Sequence, residues 1–171
     1  MSMVSYVKVE GQTQGHIKGS VTQKGREDLI MVLATTHSVV SPRDMATGLS
    51  TGKRQHKPIT LTVEIDKATP LLYNVLVNNE NLKTVKIMYW STGSVQAGKA
   101  AAATGKEYQH YTITLTNANI ASIDYRQPHI KNAEMARLME YTDVSFVYEK
   151  IEWSWTDGGI TAEDSWESPI T

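Results

Sequence analysis

The sequence predicts a mainly β protein, an antiparallel two-sheet β-barrel or sandwich with one flanking α-helix. Three observations carry that expectation. Apolar and polar residues alternate with a period of two in at least seven separate segments, the pattern of strands that put one face on a core and the other in water. Helical periodicity stands out only around residues 66–79. The 171 residues fit one domain, 1–171, and a chain of that size buries roughly 70% of its unfolded surface without needing a covalent staple.

The elements follow in order. Residues 5–10 alternate and stop at Gly11, and 29–40 is a long β-rich stretch holding Ile30, Val32, Val39 and Val40. Residues 59–65 alternate strictly, with Ile59, Leu61, Val63 and Ile65 on one face and Thr60, Thr62 and Glu64 on the other. The helix comes next. Asp66 or Thr69 is the candidate N-cap, and Pro70 suits the first turn, where its missing N–H has no cost. Leu71, Leu72, Val75 and Leu76 form the apolar stripe, and Asn78-Asn79 is the stop. Strands are then expected at 85–90, 111–116, 120–125 and 144–155. Seven or more such segments point to a sandwich or barrel. Residues 132–141 carry Met135, Leu138 and Met139 on one side but have weak caps, and read as a loop or short helix. Residues 11–28, 41–57 and 93–106 look irregular, and 157–171 reads as a polar C-terminal tail. The 41–57 stretch is an extended polar loop, and loops longer than about 12–15 residues in a compact domain are usually functional or disordered.

Composition excludes several chemistries. With no cysteine there are no disulfides, thiolate zinc sites, iron–sulfur clusters or cysteine nucleophiles. A net charge of −1 argues against a surface built to grip nucleic acid. The first ten residues alternate and lack the apolar core of a secretory signal, and no run approaches the ~20 apolar residues of a membrane helix. A protein folded in the cytoplasm is expected, without membrane insertion, leaving only by a route that accepts folded protein.

Candidate motifs mostly fail on their own terms. Gly93-Ser94-Val95-Gln96-Ala97-Gly98-Lys99 has the spacing of a phosphate loop, but Ala100 stands where a Mg²⁺-binding hydroxyl belongs, and another strand follows soon after. A surface hairpin is the better reading. Gly48-Leu49-Ser50-Thr51-Gly52-Lys53 is one residue short of the same motif. The five histidines share no metal-pair spacing, and those in or beside predicted loops suit solvated side chains. No Gly-x-Ser-x-Gly elbow occurs. Asp157, Glu163, Asp164 and Glu167 form an acidic cluster read as a solvated tail. No catalytic, cofactor-binding or metal residues are assigned, and no cofactor is expected. The basic run Lys53-Arg54-Gln55-His56-Lys57 lacks the aromatic interleaving that single-strand binding needs. Strict alternation puts Phe146 and Tyr148 on one face and Trp153 and Trp155 on the other, implying a second buried face supplied by another subunit.

The chain resembles the Hcp (haemolysin-coregulated protein) family, the tube proteins of bacterial type VI secretion. The resemblance runs over nearly the whole chain in ordered blocks. They begin with Tyr6-Val7-Lys8-Val9-Glu10-Gly11, Gly15-His16-Ile17-Lys18-Gly19 and His56-Lys57-Pro58-Ile59. Ile65-Asp66-Lys67-Ala68-Thr69-Pro70-Leu71-Leu72 follows, then Tyr111-Thr112-Ile113-Thr114-Leu115-Thr116-Asn117-Ala118 and Ile151-Glu152-Trp153-Ser154-Trp155. The strand–helix junction and the aromatic close are the most specific. The resemblance implies a non-enzymatic β-barrel that assembles as a homohexameric ring, with rings stacking into an expelled tube. Implied partners are copies of itself, a spike protein, a contractile sheath and small effectors carried in the channel, with export lacking a cleaved signal peptide. It brings no catalytic residues. A ring closes through two different patches on each subunit, and the long loop supplies a candidate interface in Thr47, Gly48, Leu49, Ser50, Thr51, Gly52, Lys53 and Arg54. Two other readings stay open at this level. One is a monomeric barrel that binds carbohydrate or nucleic acid, and the other is an enzyme with a deep pocket of converging titratable groups.

Overall fold

The computed structural model describes residues 4–92, 107–156 and 158–167. Its strands, in chain order, are β1 (Val4–Gly11), β2 (Gly15–Ile17), β3 (Ile30–Thr36), β4 (Val39–Val40), β5 (Gln55–His56) and β6 (Ile59–Glu64). The helix α1 (Thr69–Val77) intervenes before β7 (Leu82–Thr92), β8 (Glu107–Arg126), β9 (Tyr141–Trp155) and β10 (Ile160–Ser165). Antiparallel pairing runs β1–β3–β6–β9–β8–β7 and returns from β7 to β1. The main sheet therefore closes into a six-stranded barrel, which removes the free edges an open sheet would present. β9 is shared along one edge: Tyr141–Phe146 pair with β6, while Lys150–Trp155 pair with β10. β4 and β5 form a separate two-stranded sheet.

Period-two patterning accounts for the core. β6 alternates buried and half-buried residues along its whole length, and Ile59, Leu61 and Val63 meet Val7, Ile87, Leu115, Val144 and Phe146 inside the barrel. The sequence placed a break between 116 and 120, but β8 is one 20-residue strand. Asn117 has φ 49°, a conformation that Asn tolerates better than other side chained residues, and its amide donates to Glu149 Oε2 at 2.7 Å. The buried positions slip there by one residue on both strands, from 113 and 115 to 118 and 120 on β8, and from 146 and 148 to 151 on β9. This corrects the expectation for the aromatic close. Ile151 is fully buried and Trp153 packs on the same core as Phe146 and Tyr148, so no second subunit is needed to explain that face.

The helix forms where expected and caps differently. Its N-cap is Ala68, which has no side chain to cap with. Asp66 and Thr69 instead brace the turn before it: Asp66 Oδ1 accepts from the Ala68 N–H at 2.8 Å, and Thr69 Oγ1 accepts from the Asp66 N–H at 3.0 Å. Leu72 and Val75 enter the core while Leu71 stays exposed. The stop is a Schellman turn. Asn79 takes φ 48°, with Glu80 N–H bonded to Val75 O and Asn79 N–H to Leu76 O. Glu80 then folds back onto the β1–β2 turn, where its carboxylate accepts from the Thr13 and Gln14 N–H groups at 2.7 and 2.9 Å. A Cβ on Gly11 would sit 2.5 Å from that carboxylate, and one on Gly19 would sit 2.2 Å from Leu29 O. Both glycines are there for close approach.

The 18–29 connection is pinned by buried Arg26, which lies 4.0 Å over the Trp90 ring, ion-pairs with Glu107 and donates to Tyr6 Oη at 3.2 Å. Residues 129–139 form successive turns without an α-helix. No helix among the described residues is long and apolar enough to cross a membrane. The irregular 93–106 segment, with its phosphate-loop-like run, lies outside the described residues.

Candidate assembly arm and the cluster that anchors it

The chain leaves the barrel at the end of β3 and returns at the start of β6. The intervening stretch is not the irregular loop its composition suggested. It is a hairpin arm rooted in the β4–β5 ladder, where Val39 pairs with His56 and Val40 with Gln55. An Arg43–Ser50 bridge and a Thr51 N–H bond to Pro42 O continue the pairing outward. At the tip, Asp44 organises the turn, accepting from the Ala46 N–H and the Thr47 hydroxyl, both at 2.9 Å. Gly48 has φ 71° and donates its N–H to Asp44 O. These bonds are short-range, so the tip takes its shape from its own neighbours. Met45 is 100% exposed and Leu49 68%.

Of the eight residues singled out from sequence, Thr47 to Lys53 line this outer arm, whereas Arg54 belongs to its root. Arg54 clasps the Asp164 carboxylate and donates to Ser165 O at 3.2 Å. His56, two residues on, has a side chain with no exposed surface. Its Nε2 lies 2.7 Å from Asp164 Oδ2 and its Nδ1 2.9 Å from Tyr148 Oη. The same hydroxyl is 2.7 Å from His37 Nε2. Trp166 stacks on the His56 ring with centroids 5.8 Å apart and meets Tyr148 edge-on. One cluster thus ties the arm root, the corner after β3, the middle of β9 and strand β10 together.

The electrostatics follow from that geometry. Hydrogen bonding to Arg54 holds the Asp164 carboxyl below the usual carboxylate range, with His56 adding to it against the opposing effect of burial. Burial, and then the Asp164 charge, push the Tyr148 hydroxyl far up, so it stays protonated at any physiological pH. Burial, and then His56, hold His37 below the ordinary histidine value.

Two sequence expectations are corrected here. The 157–171 stretch is not a solvated tail throughout: Ile160–Ser165 is strand β10, completing the edge of β9 that β6 leaves unpaired. Asp164 is a bonded anchor of the arm. His56, in the 41–57 loop, is also buried, contrary to the solvated reading of histidines in or beside predicted loops. Asp157 lies outside the described residues. The missed residues are His37, Tyr148, Asp164 and Trp166; a polar, alternating Ile160–Ser165 beside an unusually long β9 was the available signal. Among the described residues, no three His, Asp or Glu side chains are placed to hold a metal ion.

The architecture is a closed antiparallel barrel with one helix packed on it and an ordered arm projecting from it, a fold that by itself sets no function. Comparison with known proteins narrows this. A family model described as "Type VI secretion system effector, Hcp" matches residues 6–155. The "Major exported protein" of Pseudomonas aeruginosa is 33% identical, and the match covers 99% of each chain. A crystal structure of an Hcp protein superposes with a TM-score of 0.86 at 30% identity, covering 98% of this chain and all of the other. The secreted protein Hcp3 from P. aeruginosa gives 0.74 at 29% identity, over 98% of this chain and all of that one. The chain belongs to the Hcp family of type VI secretion tube proteins. It is a structural component of the tube, and the monomeric carbohydrate- or nucleic-acid-binding alternative finds no support.

Proposed function

We propose that the chain acts as one domain, 1–171, that closes with five further copies into a ring, and that rings stack into the inner tube expelled by the secretion machine. The outer arm, Thr47 to Lys53, is the contact each subunit makes with a neighbour, and Arg54 fixes its root. One observation carries this reading: Met45 and Leu49 are held out in solvent on a turn fixed by its own hydrogen bonds. Apolar side chains presented this way are suited to being covered by a partner surface. A ring needs two different patches per subunit, and an arm on one side with a receiving surface on the other meets that need.

On the same reading the protein works by contact and has no catalytic role. It folds in the cytoplasm and is exported, as its P. aeruginosa relative's name suggests for that protein; export needs no cleaved signal peptide, and the protein meets a spike protein and a contractile sheath and carries small effectors in the channel. Sedimentation tests the assembly directly. A particle of about six times 19.0 kDa, ring-shaped in negative stain, is expected. Deleting Thr47 to Arg54 should leave monomers with an intact far-ultraviolet spectrum. A deletion variant that still sediments as a ring overturns the role of the arm.

A further inference from the structure

We propose that the linear chain Asp164–His56–Tyr148–His37 is a one-proton latch, which holds the arm root closed while at most one of its two imidazoles is protonated and releases it when both are. The proposal rests on the hydrogen-bond connectivity. His56 lies between Asp164 at 2.7 Å and Tyr148 at 2.9 Å, and the Tyr148 hydroxyl is shared with His37 at 2.7 Å. His56 and Tyr148 are both buried, so water does not readily replace a lost partner.

A hydroxyl has a single proton to donate, and this limits what the chain can hold. With both imidazoles neutral, His56 Nε2–H donates to Asp164, Tyr148 O–H donates to His56 Nδ1, and His37 Nε2–H donates to the Tyr148 oxygen. With the extra proton on His56, its Nδ1–H donates to the Tyr148 oxygen, and the hydroxyl turns to donate to the His37 Nε2 lone pair. With it on His37, the neutral arrangement persists unchanged. In all three states each of the three contacts along the chain pairs a donor with an acceptor. With both protonated, two N–H groups converge on one oxygen, and the hydroxyl proton has no acceptor among its described partners.

Charge acts in the same direction. Asp164 on β10 is the carboxylate facing His56, and it already pairs with Arg54 from the arm root. Tyr148 from β9 and His37 from the corner after β3 are the other titratable groups against the ring, and Trp166 covers it with a neutral face. Lys53 and Glu167 line the open cleft beside Trp166. Two imidazolium ions and a guanidinium then lie around the half-buried Asp164 carboxylate. Burial holds His37 below the ordinary histidine value and so favours its neutral form near neutral pH.

What opens is the root. Without His56 in place, the arm root keeps the two-residue β4–β5 ladder and the Lys57 N–H bond to Ser38 O, which tie its two strands to each other and not to the barrel. The latch is a property of the single chain; only its consequence for assembly rests on the arm being a subunit contact.

Amide hydrogen exchange on the full-length chain tests this, with rates corrected for intrinsic pH dependence. Exchange at Val39, His56 and Lys57 should rise about tenfold between about pH 7 and pH 5, while Leu72 in α1 stays flat. His37→Gln keeps a neutral hydrogen-bonding group and removes the second proton, so it should abolish the acid response. Tyr148→Phe removes the shared hydroxyl and should make root exchange fast at both pH values. A pH-independent root in the wild type, or an undiminished acid response in His37→Gln, overturns the latch. Sedimentation of the same samples separates the two readings: rings that persist while the root opens count against the arm as the ring contact and leave the latch standing.

Discussion

The two ends of β6 are finished with different materials. Past Glu64 the chain turns into α1, whose Leu72 and Val75 enter the barrel core and whose C-terminus is closed by a Schellman turn and the Glu80 carboxylate. Before Ile59 it comes from an arm root held by Arg54, His56, Tyr148 and Asp164. Apolar packing is non-directional and indifferent to protons, whereas a hydrogen-bonded chain demands particular protonation states. The helix end rests chiefly on packing and stays shut until pH falls far enough to protonate Glu80, whereas the arm end is built from groups that titrate nearer neutrality.

The largest effect expected from probing that contrast is at the helix end. Leu72→Ala removes a buried side chain from a closed core and should cost about 2–5 kcal/mol in urea unfolding, with the same loss at about pH 7 and pH 5. A pH-dependent loss would break the contrast. Glu80→Gln leaves the size unchanged but weakens charge-assisted bonds to two backbone N–H groups, and should cost about 1–2 kcal/mol.

The pH profile of the wild type sharpens the comparison further. His37 is depressed in the folded state, so its contribution is whole above the unfolded histidine value near 6.5 and is lost as pH falls below it. Asp164 and Glu80 are also depressed, and theirs is whole above about pH 4 and lost below. Stability should therefore fall in two steps, and His37→Gln should shrink only the upper one, to which His110, also depressed by burial, contributes as well. The smallest change expected is a gain. Asn79→Gly relieves a side chain at φ 48° and should add about 0.5 kcal/mol, read as a small rise in urea midpoint.

Strand identity was legible because half-buried strands write their environment into alternate residues, as in Ile59-Thr60-Leu61-Thr62-Val63-Glu64. The helix and its Asn78-Asn79 stop were legible because their signals are local. Strict alternation failed at Asn117, where one left-handed residue shifts the phase of two strands, and nothing in the period marks it. Of the arm, the sequence revealed length and polarity but not order, since the bonds that shape its tip are made by Asp44 with its own neighbours. The anchoring cluster was the least legible part. His56 and Asp164 stand 108 positions apart and Arg54 and Asp164 110, and each alone reads as an ordinary solvated charge.

That separation carries a consequence for truncation. Every strand of the closed barrel lies before residue 156, so a chain stopped there keeps all the barrel strands and loses Asp164. Arg54 and His56 then lack their shared carboxylate. Trimming from the C-terminus should therefore loosen the arm root before it costs the barrel a strand.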